Sequence, residues 1–101
     1  MKLRDLNPDW IANGAGIGFD APNGGGRITV FFANPLHGAV DHGPRTPPYD
    51  RRWTRTGDTF DTLSLTPSVD AFEAKVDASG NATNERARTI WHGFVTNGDV
   101  T

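Results

Sequence analysis

The sequence predicts a mainly β fold: a single small domain of about five or six strands with one long loop. Apolar and polar residues alternate with a period of two in several short segments, and glycine- and asparagine-rich turns separate those segments. No segment carries the 3.6-residue period of an amphipathic helix. The chain has 101 residues, a length that forms one hydrophobic core, so residues 1–101 are expected to be one domain.

The first twenty residues predict an irregular N-terminal segment. Asn7 before Pro8 is typical of the start of a helical turn, and Gly14 would end that turn. Residues 14–19 contain three glycines, but their spacing is not that of a phosphate-binding loop and no helical pattern follows. A turn is therefore the favoured interpretation of these glycines.

The clearest strand covers residues 27–33, where β-branched and aromatic residues accumulate. A long loop follows over residues 34–57, with four prolines and no sustained period of either kind. Loops longer than roughly 12 to 15 residues are uncommon in compact domains and are often functional. We therefore expect a ligand-binding or catalytic role in this loop before any other segment.

The C-terminal half predicts a strand and two hairpins. The strand covers residues 59–65 and is closed by Pro67. Residues 72–76 alternate between apolar and polar, residues 77–81 supply a turn, and residues 87–96 form the return strand. Asn97-Gly98 is the strongest short signal for a second hairpin, with a short last arm.

Composition and charge exclude several classes of function. The formal net charge is −2, so neither nucleic acid nor an anionic membrane is an expected partner. The sequence has no cysteine, which excludes disulfides, thiolate nucleophiles and cysteine-ligated zinc. No apolar run has the length of a signal peptide or a membrane span, so a cytoplasmic location is expected. The oligomeric state stays open.

The three histidines are the candidate metal ligands. His37 and His42 lie five residues apart with glycines nearby, and His92 falls on a predicted strand fifty residues later. A close pair plus one distant ligand, with a fourth position open for water, is how many catalytic Zn²⁺ sites are built. The alternative is three unrelated histidines, two in a solvated loop and one packed in a sheet.

Two carboxylates and one hydroxyl are the candidate catalytic groups. Asp41, beside His42, could orient an imidazole, ligate the ion or act as base on a bound water, or simply make a local turn. Asp70 is the second carboxylate candidate. Ser68 offers a hydroxyl for an oxyanion, or a nucleophile for a Ser-His-Asp arrangement, but it lacks the glycine pattern of a nucleophile elbow, which favours a turn role.

An arginine-rich part of the long loop is the candidate substrate-binding segment. Arg45, Arg51, Arg52 and Trp53 lie close together there, on an otherwise slightly acidic protein. Guanidinium groups suit a carboxylate or phosphate ligand. The alternative is a solvated loop in which the arginines pair with nearby aspartates and Trp53 fills the core.

Two segments resemble a known family. Residues 63–70 read Leu-Ser-Leu-Thr-Pro-Ser-Val-Asp, and residues 91–100 read Trp-His-Gly-Phe-Val-Thr-Asn-Gly-Asp-Val. Together they resemble the domain-of-unknown-function family 6527, small bacterial and phage proteins with a Leu-Thr-Pro-Ser-Ile type strand end and a closing His-Phe-x-x-x-Asn-Gly hairpin. Counting the strand and loop from Arg27 to Gly38, the resemblance covers about the last four-fifths of the chain.

The resemblance implies a metal and a substrate. Many members have a cysteine-rich loop around the position of His37, which implies that His37 replaces a cysteine ligand and that His92 matches the family's histidine ligand. His42 would be a replacement ligand of an open, three-histidine site. Similar members are found beside bacterial ubiquitin-like conjugation genes, which implies a peptidase acting on a ubiquitin-like protein or its conjugates.

The leading hypothesis is therefore a zinc-dependent peptidase that processes or releases a ubiquitin-like protein. The three histidines would hold Zn²⁺, and Asp41 or Asp70 would take the proton from the bound water. Ser68 or a nearby amide would stabilise the oxyanion, and the arginine-rich segment would hold the substrate. The alternatives are a non-catalytic binding module that uses this segment, and a serine hydrolase around Ser68.

Overall fold

The computed structural model describes residues 1–47 and 49–101, and their fold is mainly β, as predicted. Pro48, part of the predicted loop, lies outside the described residues. The described residues form nine strands, more than the expected five or six, because several are only two or three residues long. In chain order the strands are β1 (Asp9–Ile11), β2 (Gly16–Asp20), β3 (Arg27–Phe31), β4 (Thr54–Thr56), β5 (Ser64–Thr66), β6 (Val69–Val76), β7 (Ala82–Gly93), β8 (Val95–Thr96) and β9 (Asp99–Val100).

The first three strands form an antiparallel sheet in the order β1-β2-β3. Here β3 confirms the clearest predicted strand, but two other predictions are wrong: residues 9–11 are a strand, not a helical turn, and residues 16–20 are a strand, not a turn. The reason is close packing at Gly16. A Cβ there would lie 2.5 Å from the Val30 carbonyl oxygen and 3.0 Å from the Ile11 side chain, so glycine lets β2 fit between its neighbours.

Three 3-10 turns, at Leu3–Asp5, Ala12–Gly14 and Leu36–Gly38, supply the helical structure of the described chain. The first turn is tied to the C-terminal hairpin, since the Leu3 amide donates to the Gly98 carbonyl at 2.8 Å. No helix within residues 1–47 or 49–101 is long and apolar enough to cross a membrane.

In its described residues, 34–47 and 49–57, the predicted loop is mostly irregular and contains one 3-10 turn and β4. The strand predicted over residues 59–65 is shorter and lies later, because residues 58–62 bend and turn before β5 begins. The hydroxyls of Thr59 and Thr62 hydrogen-bond to each other at 2.7 Å. Such local side-chain bonds compete with strand pairing, which explains the shift.

The C-terminal half confirms the two predicted hairpins, β6–β7 and β8–β9. Asn97 and Gly98 have φ angles of 46° and 74°, the positive values that a two-residue hairpin of this type requires. The return strand β7 begins at Ala82, earlier than predicted, and its ladder with β6 contains three register shifts. These shifts decide which side chains face each other near Ser68.

One apolar core joins the sheets. Phe19 of β2 meets Trp91 of β7 edge to face, with ring centroids 6.2 Å apart. Trp53 is 8 % exposed and belongs to the same core. The largest fully buried side chains are Phe19, Phe32, Leu3, Ile17, Ile28, Leu63, Val30, Val69 and Val95.

Candidate functional site

A serine and a histidine are in direct contact at the start of the β6–β7 hairpin. The Ser68 Oγ lies 3.0 Å from the His92 Nε2. Ser68 is half-buried in the short connection between β5 and β6, and His92 is exposed near the end of β7. The arrangement joins a hydroxyl to an imidazole that can take its proton, which is the pairing used to activate serine nucleophiles.

The local backbone explains why these two side chains meet. Trp91 and Gly93 on either side of His92 are buried, so strand alternation turns the His92 side chain to the exposed face. Val69 pairs with Gly93 in the ladder, which brings the preceding Ser68 next to the end of β7. The Trp53 Nε1 donates to the Ser68 carbonyl at 3.1 Å and so fixes the serine backbone.

Asp70 lies directly opposite His92 in the ladder. Arg86 donates to its two oxygens at 2.9 and 2.6 Å, and the Arg51 guanidinium lies 3.7 Å away. The hydrogen bond from Arg86 holds the pKa of Asp70 below its usual value, and the positive charges of Arg86, His92 and Arg51 lower it further. Asp70 is therefore a fixed negative charge beside the imidazole, and as a proton acceptor it is weakened.

A cavity of about 290 Å³ lies near this pair, although neither Ser68 nor His92 is among its lining residues. Trp53 and Asp70, which both touch the Ser68–His92 region, are part of its wall. Most of the remaining wall is apolar or aromatic, and Arg51 and Tyr49 are among its polar members. The lining residues are Arg27, Ile28, Thr29, Phe31, Pro44, Tyr49, Arg51, Trp53, Asp70, Ala71, Phe72 and Ile90.

The predicted substrate-binding arginines differ in their availability. Arg51 is 53 % exposed and sits over the Phe72 ring at 5.7 Å. Arg45 is 68 % exposed and lies 3.6 Å from Asp41. Arg52 is instead 12 % exposed and bound to Asp41 at 2.6 Å, so its guanidinium holds the loop together.

Asp41 is the acceptor at the centre of that loop contact. It takes hydrogen bonds from the Arg52 side chain and from the Gly43 amide, the latter at 2.8 Å. The Arg52 hydrogen bond is the main reason that the pKa of Asp41 lies below its usual value. In the structure Asp41 therefore organises the loop around Arg52.

The three predicted zinc ligands occupy different settings. His37 lies in the Leu36–Gly38 turn with a φ of 52°, and both it and His42 are exposed. The Nε2 of His92 faces Ser68. Among residues 1–47 and 49–101, no group of three or more His, Asp or Glu side chains could hold a metal ion. The zinc centre stays a prediction.

Sequence reasoning missed two members of this surface, Arg86 and Phe72. The Arg86 guanidinium lies over the Phe72 ring at 4.6 Å while it binds Asp70. Alternation along β6 could have placed Phe72 on the same face as Ser68 and Asp70. The partner strand gave no such signal, because its register shifts are not visible in the sequence.

Comparisons with known protein families, with curated proteins and with solved structures found no match for this chain. The resemblance to family 6527 thus stays a prediction.

Proposed function

We propose that this protein is a serine hydrolase that cleaves an acyl bond, an ester or amide, with Ser68 as the nucleophile and His92 as the general base. The observation that carries the proposal is the 3.0 Å contact between the Ser68 Oγ and the His92 Nε2. That distance is within the range at which a base takes the proton of its nucleophile. The cavity next to the pair provides room for a substrate.

The reaction proceeds through an acyl-enzyme. With the His92 ring proton on Nδ1, the Ser68 hydroxyl donates to Nε2, and Oγ attacks the substrate carbonyl as Nε2 takes the hydroxyl proton. The C–O or C–N bond of the substrate then breaks, and the leaving group receives that proton from Nε2. A water molecule next gives its proton to Nε2, attacks the acyl carbon and releases the acid, with the proton returning to Oγ.

Asp70 stabilises the charged intermediate of this cycle. His92 becomes positive each time it takes a proton, and the ionised Asp70 lies across the ladder from it. The ion pair with Arg86 keeps that carboxylate charged and in place. A fixed negative charge near a developing positive one lowers the barrier without any proton reaching Asp70.

The zinc-dependent peptidase with His37, His42 and His92 remains a competing proposal, as does action on a ubiquitin-like protein. The two mechanisms differ in what stops them. A zinc peptidase loses activity with a chelator and with His37→Ala, because both remove the metal that activates water. The serine mechanism is indifferent to both treatments.

The test is hydrolysis of fluorogenic aminoacyl esters by the wild type and by Ser68→Ala, His92→Ala and Ser64→Ala, each with and without 1,10-phenanthroline. We expect Ser68→Ala and His92→Ala to lower kcat/KM by at least about 100-fold, and Ser64→Ala and the chelator to have little effect. Full activity in Ser68→Ala would overturn the proposal. Loss with the chelator would favour zinc, and absence of any hydrolysis would favour a non-catalytic binding module.

A further inference from the structure

The cavity near Ser68 is bounded on one side by β6, a strand with one free edge. In the described chain β6 pairs only with β7, and its residues 70–72 form one wall of the cavity. The facing wall comes from β3, whose Thr29 and Phe31 also line it. An edge strand with unpaired N–H and C=O groups can accept an added strand from another chain.

The cavity and the nucleophile are within reach of one short ligand. Ser68 immediately precedes β6, and Asp70 lies two residues further on, at most roughly 7 Å away along the chain. Trp53, a wall residue, is hydrogen-bonded to the Ser68 carbonyl. A chain lying along β6 could therefore place a side chain in the cavity and present a carbonyl one or two residues away to Ser68.

The charged residues of the cavity wall indicate which group a ligand would carry next to its apolar side chain. Arg51 lies 3.7 Å from Asp70, and within the described residues its guanidinium donates no hydrogen bond. Asp70 itself already has both oxygens bound by Arg86. Arg27, the other arginine of the wall, is occupied by Asp9, Asp20 and the Asn7 carbonyl. Arg51 therefore has guanidinium donors available for a carboxylate.

We propose that the substrate is an acidic peptide segment that binds in extended form along the free edge of β6. It places one apolar side chain in the cavity and a neighbouring carboxylate on Arg51. This inference names the substrate class of the proposed hydrolase and so rests on that function for its catalytic meaning. The binding itself needs only the cavity, the strand edge and Arg51.

Fluorescence polarisation with the Ser68→Ala protein tests the binding apart from any cleavage. The probes are two fluorescein-labelled peptide amides, Gly-Ser-Leu-Glu-Gly-Ser and Gly-Ser-Glu-Leu-Gly-Ser, each with versions in which Leu is replaced by Ser or Glu by Lys. We expect at least one parent peptide to bind. Its Leu→Ser version should bind about 10- to 100-fold more weakly, and its Glu→Lys version about 5- to 10-fold more weakly.

Two further variants locate the bound peptide. Arg51→Gln should remove the preference for Glu over Lys. Thr29→Trp, which fills the cavity from an exposed position of β3, should weaken binding by about tenfold or more. Asn84→Trp adds the same ring at an exposed position on β7 away from the cavity, and it should leave binding unchanged. Circular dichroism of each variant verifies that it is folded.

The outcomes separate this inference from the proposed hydrolysis. Absence of binding by every peptide, or equal binding of the Leu→Ser and Glu→Lys versions, would overturn the inference even if small esters are cleaved at Ser68. Selective binding blocked by Thr29→Trp would support it even if no ester is cleaved. In that second case the proposed hydrolase fails and the peptide-binding site stands.

Discussion

The residues around His92 determine the electrostatic environment of its imidazole. Asp70 faces it across the ladder, and Arg86 keeps that carboxylate ionised by donating to both of its oxygens. Glu73 and Arg88 form a similar ion pair at 2.8 Å on the same hairpin. The two ion pairs differ in their position: Asp70 faces His92 in the ladder, and Glu73 does not. Neutralising each carboxylate in turn therefore isolates the effect of a negative charge next to His92.

Asp70→Asn should lower kcat for ester hydrolysis about tenfold. The amide can still accept a hydrogen bond from Arg86, but it no longer offers a negative charge to the protonated His92. Steady-state kinetics of Asp70→Asn and of Glu73→Gln measure this. Equal rates for the two variants would mean that Asp70 contributes only to the structure of the hairpin.

The β6–β7 ladder has three register shifts that the sequence does not reveal. These shifts decide which residues face each other at the site. An unbroken hairpin closing at Val76 and Ala82 would put Arg88 opposite Asp70. The observed ladder shifts register three times and puts His92 there instead. The hairpin and its turn were thus predictable from alternation and turn residues. The Ser68–His92 contact was not, because it depends on the accumulated shift.

Glycine at a hairpin turn has an effect that depends on its surroundings. Gly98 has a φ of +74°, and a Cβ there would lie 2.7 Å from the carbonyl oxygens of Phe60 and Asp61. Gly80, in the turn of the β6–β7 hairpin, has a φ of +84° with nothing within 4 Å of the Cβ position. A side chain at residue 80 would therefore cause backbone strain alone. A side chain at residue 98 would cause backbone strain and a steric clash.

Gly98→Ala should lower the free energy of unfolding by about 2 to 4 kcal/mol, and Gly80→Ala by about 1 kcal/mol. Urea denaturation followed by tryptophan fluorescence gives both values. Equal losses would show that the backbone around residues 60 and 61 yields without cost, contrary to the packing described above.

The long loop is held by the Asp41–Arg52 pair, whose side chains are only 14 % and 12 % exposed. Asp41→Ala should lower the free energy of unfolding by about 1 to 3 kcal/mol, because it leaves a largely covered guanidinium without its partner. It should also speed trypsin cleavage at Arg45 or Arg51.

The control is Glu85→Ala, which breaks the exposed pair with Lys75. It should change neither the stability nor the cleavage rate. Similar behaviour of the two variants would remove the structural role assigned to Arg52.

At the scale of the whole molecule, the hydrogen-bonded carboxylates make the free energy of unfolding depend on pH in the acidic range. Within the described part of the chain, five groups have pKa values below their ordinary ones because a side-chain hydrogen bond from a neighbouring residue favours the ionised form: Asp20, Asp41, Asp70, Glu73 and Asp99. The ordinary value is 3.8 for the aspartates and 4.5 for the glutamate. In acid the unfolded chain therefore binds more protons than the folded chain, and stability rises with pH in that range.

Thermal unfolding midpoints should be level from pH 7 to about pH 5 and fall as the pH drops through 4 towards the lowered pKa values. Calorimetry over this range gives the curve. Asp20→Asn should flatten the acid side, because its carboxyl no longer titrates, whereas Asp58→Asn serves as a matched exposed control. A midpoint that rises towards pH 3 would contradict the ion-pair assignments.

The composition and residue pattern of the whole chain predicted its fold class better than they predicted its functional site. Alternation and turn residues predicted a mainly β domain, and the absence of cysteine excluded thiol chemistry. The number and spacing of the three histidines predicted a metal centre, which stays a prediction. Side-chain contacts across the fold, such as that between Ser68 and His92, arise from pairing between distant segments, which composition does not specify.

The most direct test of the central claim is the site of reaction with a fluorophosphonate, which phosphonylates activated serines. The chain has three serines, Ser64, Ser68 and Ser79, so two serve as internal controls. We predict that mass spectrometry of the digested protein finds one adduct, on Ser68, and that His92→Ala abolishes it. An unmodified Ser68, or labelling that is equal at all three serines or persists in His92→Ala, would contradict the account.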